Sequence, residues 1–190
     1  LAAICKEQHC RFVHVSTDYV FDGAANVPYK EDDLTNPQCV YGASKLEGEK
    51  QAIQLNEESI IIRTSWVYSS FGKNFVKTIL RLLQEKPSVS VVNDQIGSPT
   101  YAADLALAIL EIISAKNWKS GIYNFSNEGI ISWFDFAKAI AHLQKSTTPV
   151  HPISTAQFPT PAKRPAWSVL DKSKIKSTYG VKIRPWEEAL

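Results

Sequence analysis

No glycine-rich loop is present in these 190 residues: the eight glycines stand at 23, 42, 48, 72, 97, 121, 129 and 180, and no three of them make G-x-G-x-x-G or G-x-x-G-x-x-G. A loop of that kind, opening a helix after a first strand, is what cradles a dinucleotide pyrophosphate. Long apolar runs are missing too, since none approaches the roughly 20 residues that a membrane helix needs. Charge of one sign is scarce: the formal net charge of +2 is spread along the chain. That leaves no basic stripe for nucleic acid and no acidic tail, and points to small-molecule partners. Cys5, Cys10 and Cys39 are an odd set without C-x-x-C spacing, and four scattered histidines add no ligand pair, so nothing in the spacing supports a metal or redox centre. A reduced, cytoplasmic setting is the expectation. There is no methionine, and Leu1 to Cys10 read as the last turns of an amphipathic helix rather than as a signal peptide, whose charged segment should precede its apolar one.

What is present is an ordinary soluble composition, 44% hydrophobic and 21% charged, in a chain long enough for one full domain. Arg11 to Ser16 and Ser59 to Thr64 are short runs rich in β-branched residues, the pattern of strands buried on both faces of a parallel sheet. Between them lie turn signals from 17 to 40 and a helix pattern from Ala43 to Leu55, so a right-handed βαβ crossover is expected. Beyond Tyr68 the pattern predicts helices over Phe75 to Lys86 and Ala102 to Ala115, strands over Val89 to Val92 and Gly121 to Phe125, and a polar loop from Asp94 to Thr100. Ser132 with Asp135 three residues on reads as a capping box opening a helix to Leu143. The proline-rich last forty residues are expected to be largely loop, with a short helix near Asp171 to Lys176.

The chemistry starts from Tyr41-Gly-Ala-Ser-Lys45. At i and i+4 of a helix start, Tyr41 and Lys45 share one face. A phenol with an ordinary pKa of about 10 is a poor proton donor at neutral pH, and a neighbouring ammonium favours its ionised form. Tyr41 is then a candidate to pass a proton to a carbonyl oxygen. By itself the pair is equally an ordinary solvated helix face. Ser16-Thr17-Asp18 follows the first strand, and ligands of doubly wound sheets sit outside the carboxyl ends of strands, which places Thr17 to hydrogen-bond the same carbonyl. Trp66 follows the second strand and offers a flat face to a sugar ring, or fills the core.

The segments Val15 to Gly23, Pro37 with Tyr41 to Glu49, Ile62 to Tyr68, Asn74-Phe75, Asp94 to Thr100, and Arg164 to Ala166 with Leu170-Asp171 run in order through nearly the whole chain. On them the sequence resembles the extended short-chain dehydrogenases/reductases that act on nucleotide-linked sugars, most closely the dTDP-4-dehydrorhamnose reductases. The resemblance implies an α/β fold: the C-terminal part of a doubly wound, Rossmann-like domain over residues 1–68, and a smaller α/β substrate-binding lobe over 69–190 with segments returning to the sheet. It implies NADPH or NADH as cofactor, a dTDP-sugar as partner and reduction of a C4 keto group. By it Thr17, Tyr41 and Lys45 are the catalytic trio, with Val15, Tyr41 and Lys45 beside the cofactor. Thr17, Asp18 and Trp66 are sugar contacts, and Asn74 with the 94 to 100 loop holds the nucleotide end.

Some reductases of this kind bind magnesium between subunits through glutamates, and one such position falls at Ala103, so no metal is carried over. If the resemblance holds, the first strands of the dinucleotide domain lie upstream of Leu1, and these residues alone are expected to bind cofactor poorly. Whether a homodimer forms is left open. Asp18 is followed by Tyr19 and not by glutamate, which disfavours a dehydratase, while an epimerase matches fewer segments. The alternative from another class is a non-catalytic regulatory subunit like that of methionine adenosyltransferase, which resembles these reductases and works by binding.

Overall fold

Ile60, Ile61 and Ile62 are all wholly buried, because the strand that carries them is covered on both faces and flanked on both edges. The computed structural model describes all 190 residues. A short helix α1 (Ala2–Glu7) leads into strand β1 (Val13–Thr17), a single 3₁₀ turn, helix α2 (Val40–Leu55) and strand β2 (Ile60–Thr64). β1 and β2 are parallel neighbours with Val13 opposite Ile60 and Thr17 opposite Thr64, so the βαβ expectation holds. Two-residue β3 (Val67–Tyr68) is followed by α3 (Phe75–Glu85), β4 (Val89–Val92), β5 (Ile96–Gly97), β6 (Thr100–Tyr101) and α4 (Ala102–Ser114). Then come β7 (Gly121–Phe125), β8 (Ile131–Ser132), α5 (Trp133–Leu143), β9 (Val150–Ile153), α6 (Ser173–Tyr179) and α7 (Trp186–Ala189).

β7 pairs parallel to β2 on the side away from β1, giving the order β1-β2-β7. The period-2 alternation of β2 divides its isoleucines between two layers. Ile61 packs with Ala2 and Ala52 of α1 and α2, while Ile60 and Ile62 pack with Leu105, Ala108 and Ile112 of α4 and Ile175 of α6. A second core gathers Ile79 and Leu83 of α3, Val89 and Val91 of β4, Phe136 and Ile140 of α5, and Trp186. The chain after Tyr68 thus supplies both that core and a strand of the main sheet. No helix is long and apolar enough to cross a membrane.

Two expectations need correction. The 94 to 100 segment is not an open polar loop: Gln95, Gly97, Ser98, Pro99 and Thr100 are buried, β5 pairs antiparallel with β8 and β6 pairs parallel with β3. Its polar side chains have partners, Gln95 Nε2 donating to Thr155 Oγ1 (3.0 Å) and Ser98 Oγ to the Gly129 carbonyl (2.6 Å). The proline-rich end likewise holds more structure than expected, since Val150–Ile153 pairs parallel with β4. β9 has β4 as its one neighbour, so the ring nitrogen of Pro152 can face away from the ladder.

Candidate active site

At the carboxyl ends of β1 and β2 a cavity of about 690 Å³ opens, lined by Val15, Thr17, Asp18, Tyr41, Lys45 and Trp66 together with Ser16, Tyr19, Cys39, Thr64 to Val67, Trp133 and the 160 to 164 segment. Six of the seven residues singled out in the sequence meet there. Asn74 does not. It caps α3, its Oδ1 accepting from Lys77 N (3.1 Å), and its amide donates to the carbonyls of Ser69 (2.7 Å) and Phe71 (3.3 Å).

Gly42 lets α2 approach this end of the sheet. A Cβ on it would lie 2.2 Å from the Tyr19 carbonyl oxygen, so only glycine allows the helix start to press on the turn after Thr17. That contact brings Tyr41, 53% exposed, edge-on to Tyr19 with ring centroids 5.6 Å apart. One turn on, Lys45 Nζ donates to the Val15 carbonyl (2.6 Å). Another turn on, Glu49 is buried: Arg63 donates to it from Nε (3.0 Å) and Nη2 (2.7 Å), and Ser16 Oγ donates to its Oε1 (2.5 Å). Residues 41, 45 and 49 are one stripe of α2, spaced i, i+4, i+8, which meets in turn the Tyr19 turn, Val15 of β1, and Ser16 of β1 with Arg63 of β2. The sequence reading stopped at the first two. Its missed signals were that third position and an arginine inside a wholly buried strand, which requires a partner.

Thr17 Oγ1 donates to Asp18 Oδ1 (3.0 Å) and accepts from Tyr19 N (3.3 Å). Asp18 is buried, and its Oδ2 has no hydrogen-bond partner. Burial pushes its carboxyl up to about 7, against the opposing hydrogen bond from Thr17. Burial, with the Asp18 charge beside it, pushes the Tyr19 phenol up to about 12. Trp66 lines the cavity, but Trp133 lies on its indole, with centroids 3.6 Å apart and planes 11° apart. One flat face expected to be free for a sugar therefore carries another ring. Trp133 and Arg164, neither singled out in the sequence as site residues, also line a neighbouring cavity of about 370 Å³ between α3 and β4.

Residues 1–190 match the family model described as the RmlD substrate binding domain. The dTDP-4-dehydrorhamnose reductase of Aggregatibacter actinomycetemcomitans is 45% identical over 100% of this chain and 68% of its own length. A crystal structure of a dTDP-4-dehydrorhamnose reductase from Clostridium acetobutylicum superposes with a TM-score of 0.95 at 43% identity, covering 100% of this chain and 66% of that one. The Bacillus anthracis enzyme, solved in complex with NADP, gives a TM-score of 0.94 at 40% identity over 99% of this chain and 66% of that one. With shares of 68% and 66%, the chain spans about two thirds of the length of these relatives. The chain belongs to the RmlD substrate-binding-domain family, the family of these dTDP-4-dehydrorhamnose reductases.

Proposed function

We propose that this chain carries the proton-donating and sugar-binding part of an enzyme that reduces the C4 keto group of dTDP-4-dehydro-L-rhamnose to dTDP-L-rhamnose with NADPH. The observation that carries the reading is the convergence of Thr17, Tyr41 and Lys45 on one cavity at the carboxyl ends of β1 and β2, in a chain of this family. In this reading residues 1–68 bear the catalytic groups, and 69–190 form the substrate lobe while returning β7 to the sheet.

The residues suit the nicotinamide end of the cofactor. Val15 is 39% exposed on β1, an apolar seat for a ring, and Lys45, anchored to the Val15 carbonyl, keeps two of its three N–H donors for ribose hydroxyls. No glycine-rich phosphate loop is among the 190 residues, so the reading assigns them no pyrophosphate contact. When bound, the nicotinamide supplies hydride to C4. Tyr41 passes its phenolic proton to the O4 that becomes the hydroxyl, and its exposure gives it water from which to regain the proton. Thr17 turns its hydroxyl from Asp18 to the sugar oxygen and orients it. Asp18, which lines the cavity, is in this reading a sugar contact through the Oδ1 that Thr17 vacates.

The test follows NADPH oxidation by the intact protein with dTDP-4-dehydro-L-rhamnose and identifies the product. Tyr41→Phe is expected to lower kcat by about a hundredfold or more with sugar binding nearly unchanged, since general acid catalysis contributes roughly 10² to 10⁴. Turnover within about threefold of wild type would remove Tyr41 as the acid. Binding of the sugar nucleotide by the wild type without turnover would favour the regulatory alternative.

A further inference from the structure

Trp66 has φ +48°, a left-handed backbone that bulky residues rarely adopt and that surrounding packing must enforce. The backbone is tied by the Thr100 N–H, which donates to the Trp66 carbonyl (3.2 Å), and two contacts meet the indole. Gly97 packs directly against the indole, since a Cβ there would lie 2.6 and 2.7 Å from Trp66 Cε2 and Cζ2. On a face of the ring lies Trp133, with centroids 3.6 Å apart and planes 11° apart.

Trp133 does not come from the main sheet. It is the first residue of α5, held at the helix start by the reciprocal capping box of Ser132 and Asp135, and Phe75 of α3 backs it at 4.5 Å between centroids. Phe75 in turn stacks on Phe136 within the second core. An unbroken ladder of rings therefore runs from the strand end at Trp66 into the helical lobe. Trp133 is also among the residues shared by the catalytic cavity and its 370 Å³ neighbour, where it forms part of the division between them.

We propose that Trp133 is a positioning residue of the sugar site: by stacking on Trp66 it fixes the orientation of that indole, so the sugar-binding wall is complete only while the α3–α5 lobe is docked on the sheet. Gly97 meets the ring at Cε2 and Cζ2, whereas Trp133 covers a face of it. The proposal takes the nature of the sugar from the reduction reading, and its spectroscopic arm is independent of that reading.

Two indoles stacked this closely couple electronically, and the intact protein is expected to show an exciton couplet in its circular dichroism. Trp133→Ala and Trp66→Phe should each abolish it. In steady-state kinetics with NADPH and dTDP-4-dehydro-L-rhamnose, Trp133→Ala is expected to raise the sugar KM about tenfold, equivalent to about 1.4 kcal/mol. KM for NADPH and kcat should stay close to wild type, and Trp133→Phe, which keeps a flat ring, should recover most of the loss. Trp133→Leu supplies the comparison should the alanine variant not fold: its sugar KM should exceed that of Trp133→Phe. A sugar KM unchanged in the folded alanine or leucine variant, equal impairment by Phe and Leu, or a wild type without a couplet would each overturn the proposal. If the wild type does not turn over at all, the reduction reading fails and calorimetry with the dTDP-sugar decides the proposal: its Kd should rise about tenfold in Trp133→Ala and stay near wild type in Trp133→Phe, and an unchanged Kd in the alanine variant would overturn it.

Discussion

Replacing Glu49 by glutamine removes one charge from a pair that water hardly reaches. The side chains of Glu49 and Arg63 are each 2% exposed, and the guanidinium keeps one further hydrogen bond, to the Glu31 carbonyl (3.1 Å), and a place over the Phe21 ring at 5.0 Å. Neither supplies a counter-charge. Breaking a buried pair from one side costs about 3–5 kcal/mol, because the remaining charge stays desolvated. Glutamine keeps the shape and one acceptor, so the lower end, about 3 kcal/mol, is the expectation. In a chain of this size each kcal/mol moves Tm by about 2–4 °C, which gives a drop of about 6–12 °C. Urea unfolding of wild type, Glu49→Gln, Arg63→Met and the double variant Glu49→Leu/Arg63→Met completes the experiment. The double variant should lie closer to wild type than either charge-stranding single, since an apolar pair needs no desolvation of charge. The exposed i,i+4 pair of Arg81 and Glu85, at 59% and 51% exposure, is the control, and Glu85→Gln should change stability by less than about 0.5 kcal/mol. A loss below about 1 kcal/mol for Glu49→Gln would refute the reasoning, for it would mean that solvent reaches Arg63.

Gly42→Ala should destabilise by about 1–3 kcal/mol in urea unfolding, because the clash with the Tyr19 carbonyl outweighs the helix propensity of alanine; a stabilised variant would contradict the close approach. Asp18 predicts a pH dependence. Its folded pKa, about 7, lies above the ordinary 3.8, so between these values the folded state holds a proton that the unfolded state has lost, and stability falls as pH rises through that window. Asp18→Asn, which keeps an acceptor for Thr17, should flatten this slope and be more stable than wild type at pH 8, by up to about 4 kcal/mol at 1.36 kcal/mol per unit. Unfolding curves at pH 4, 6 and 8 check it, and parallel slopes for the two proteins would rule it out.

Local patterning made the main sheet readable. Val13 to Thr17 and Ile60 to Thr64 are β-branched runs whose ends are set by turn residues, and α2 between them leaves a single crossover. β9 and the short strands of the 94 to 100 segment were hidden for a physical reason. Each is held by one partner strand far along the chain, β4 with β9 and β5 with β8, and a two-residue strand has no period to detect. Polar residues in such a segment look like a surface loop until their partners, Thr155 for Gln95 and Gly129 for Ser98, come from elsewhere.

The site divides along the same line. Tyr41 and Lys45 are visible together in the sequence because one helix face carries them, and Thr17 because it closes a strand, while Glu49, one turn further along the same face, was missed. Arg63 is half visible, as a charge in an apolar run whose partner a sequence does not name. Trp66 was legible as a cavity residue, but what covers it was not, because Trp133 reaches it from a different core 67 positions along the chain. In the proposed reading the proton-transfer groups therefore come from local geometry, and the wall that would meet the sugar from the docking of the α3–α5 lobe on the sheet. Variants of the first kind should change kcat, whereas variants of the second should change KM for the sugar. That split separates a merely loosened fold, which would disturb both, from the division of labour that the aromatic ladder implies.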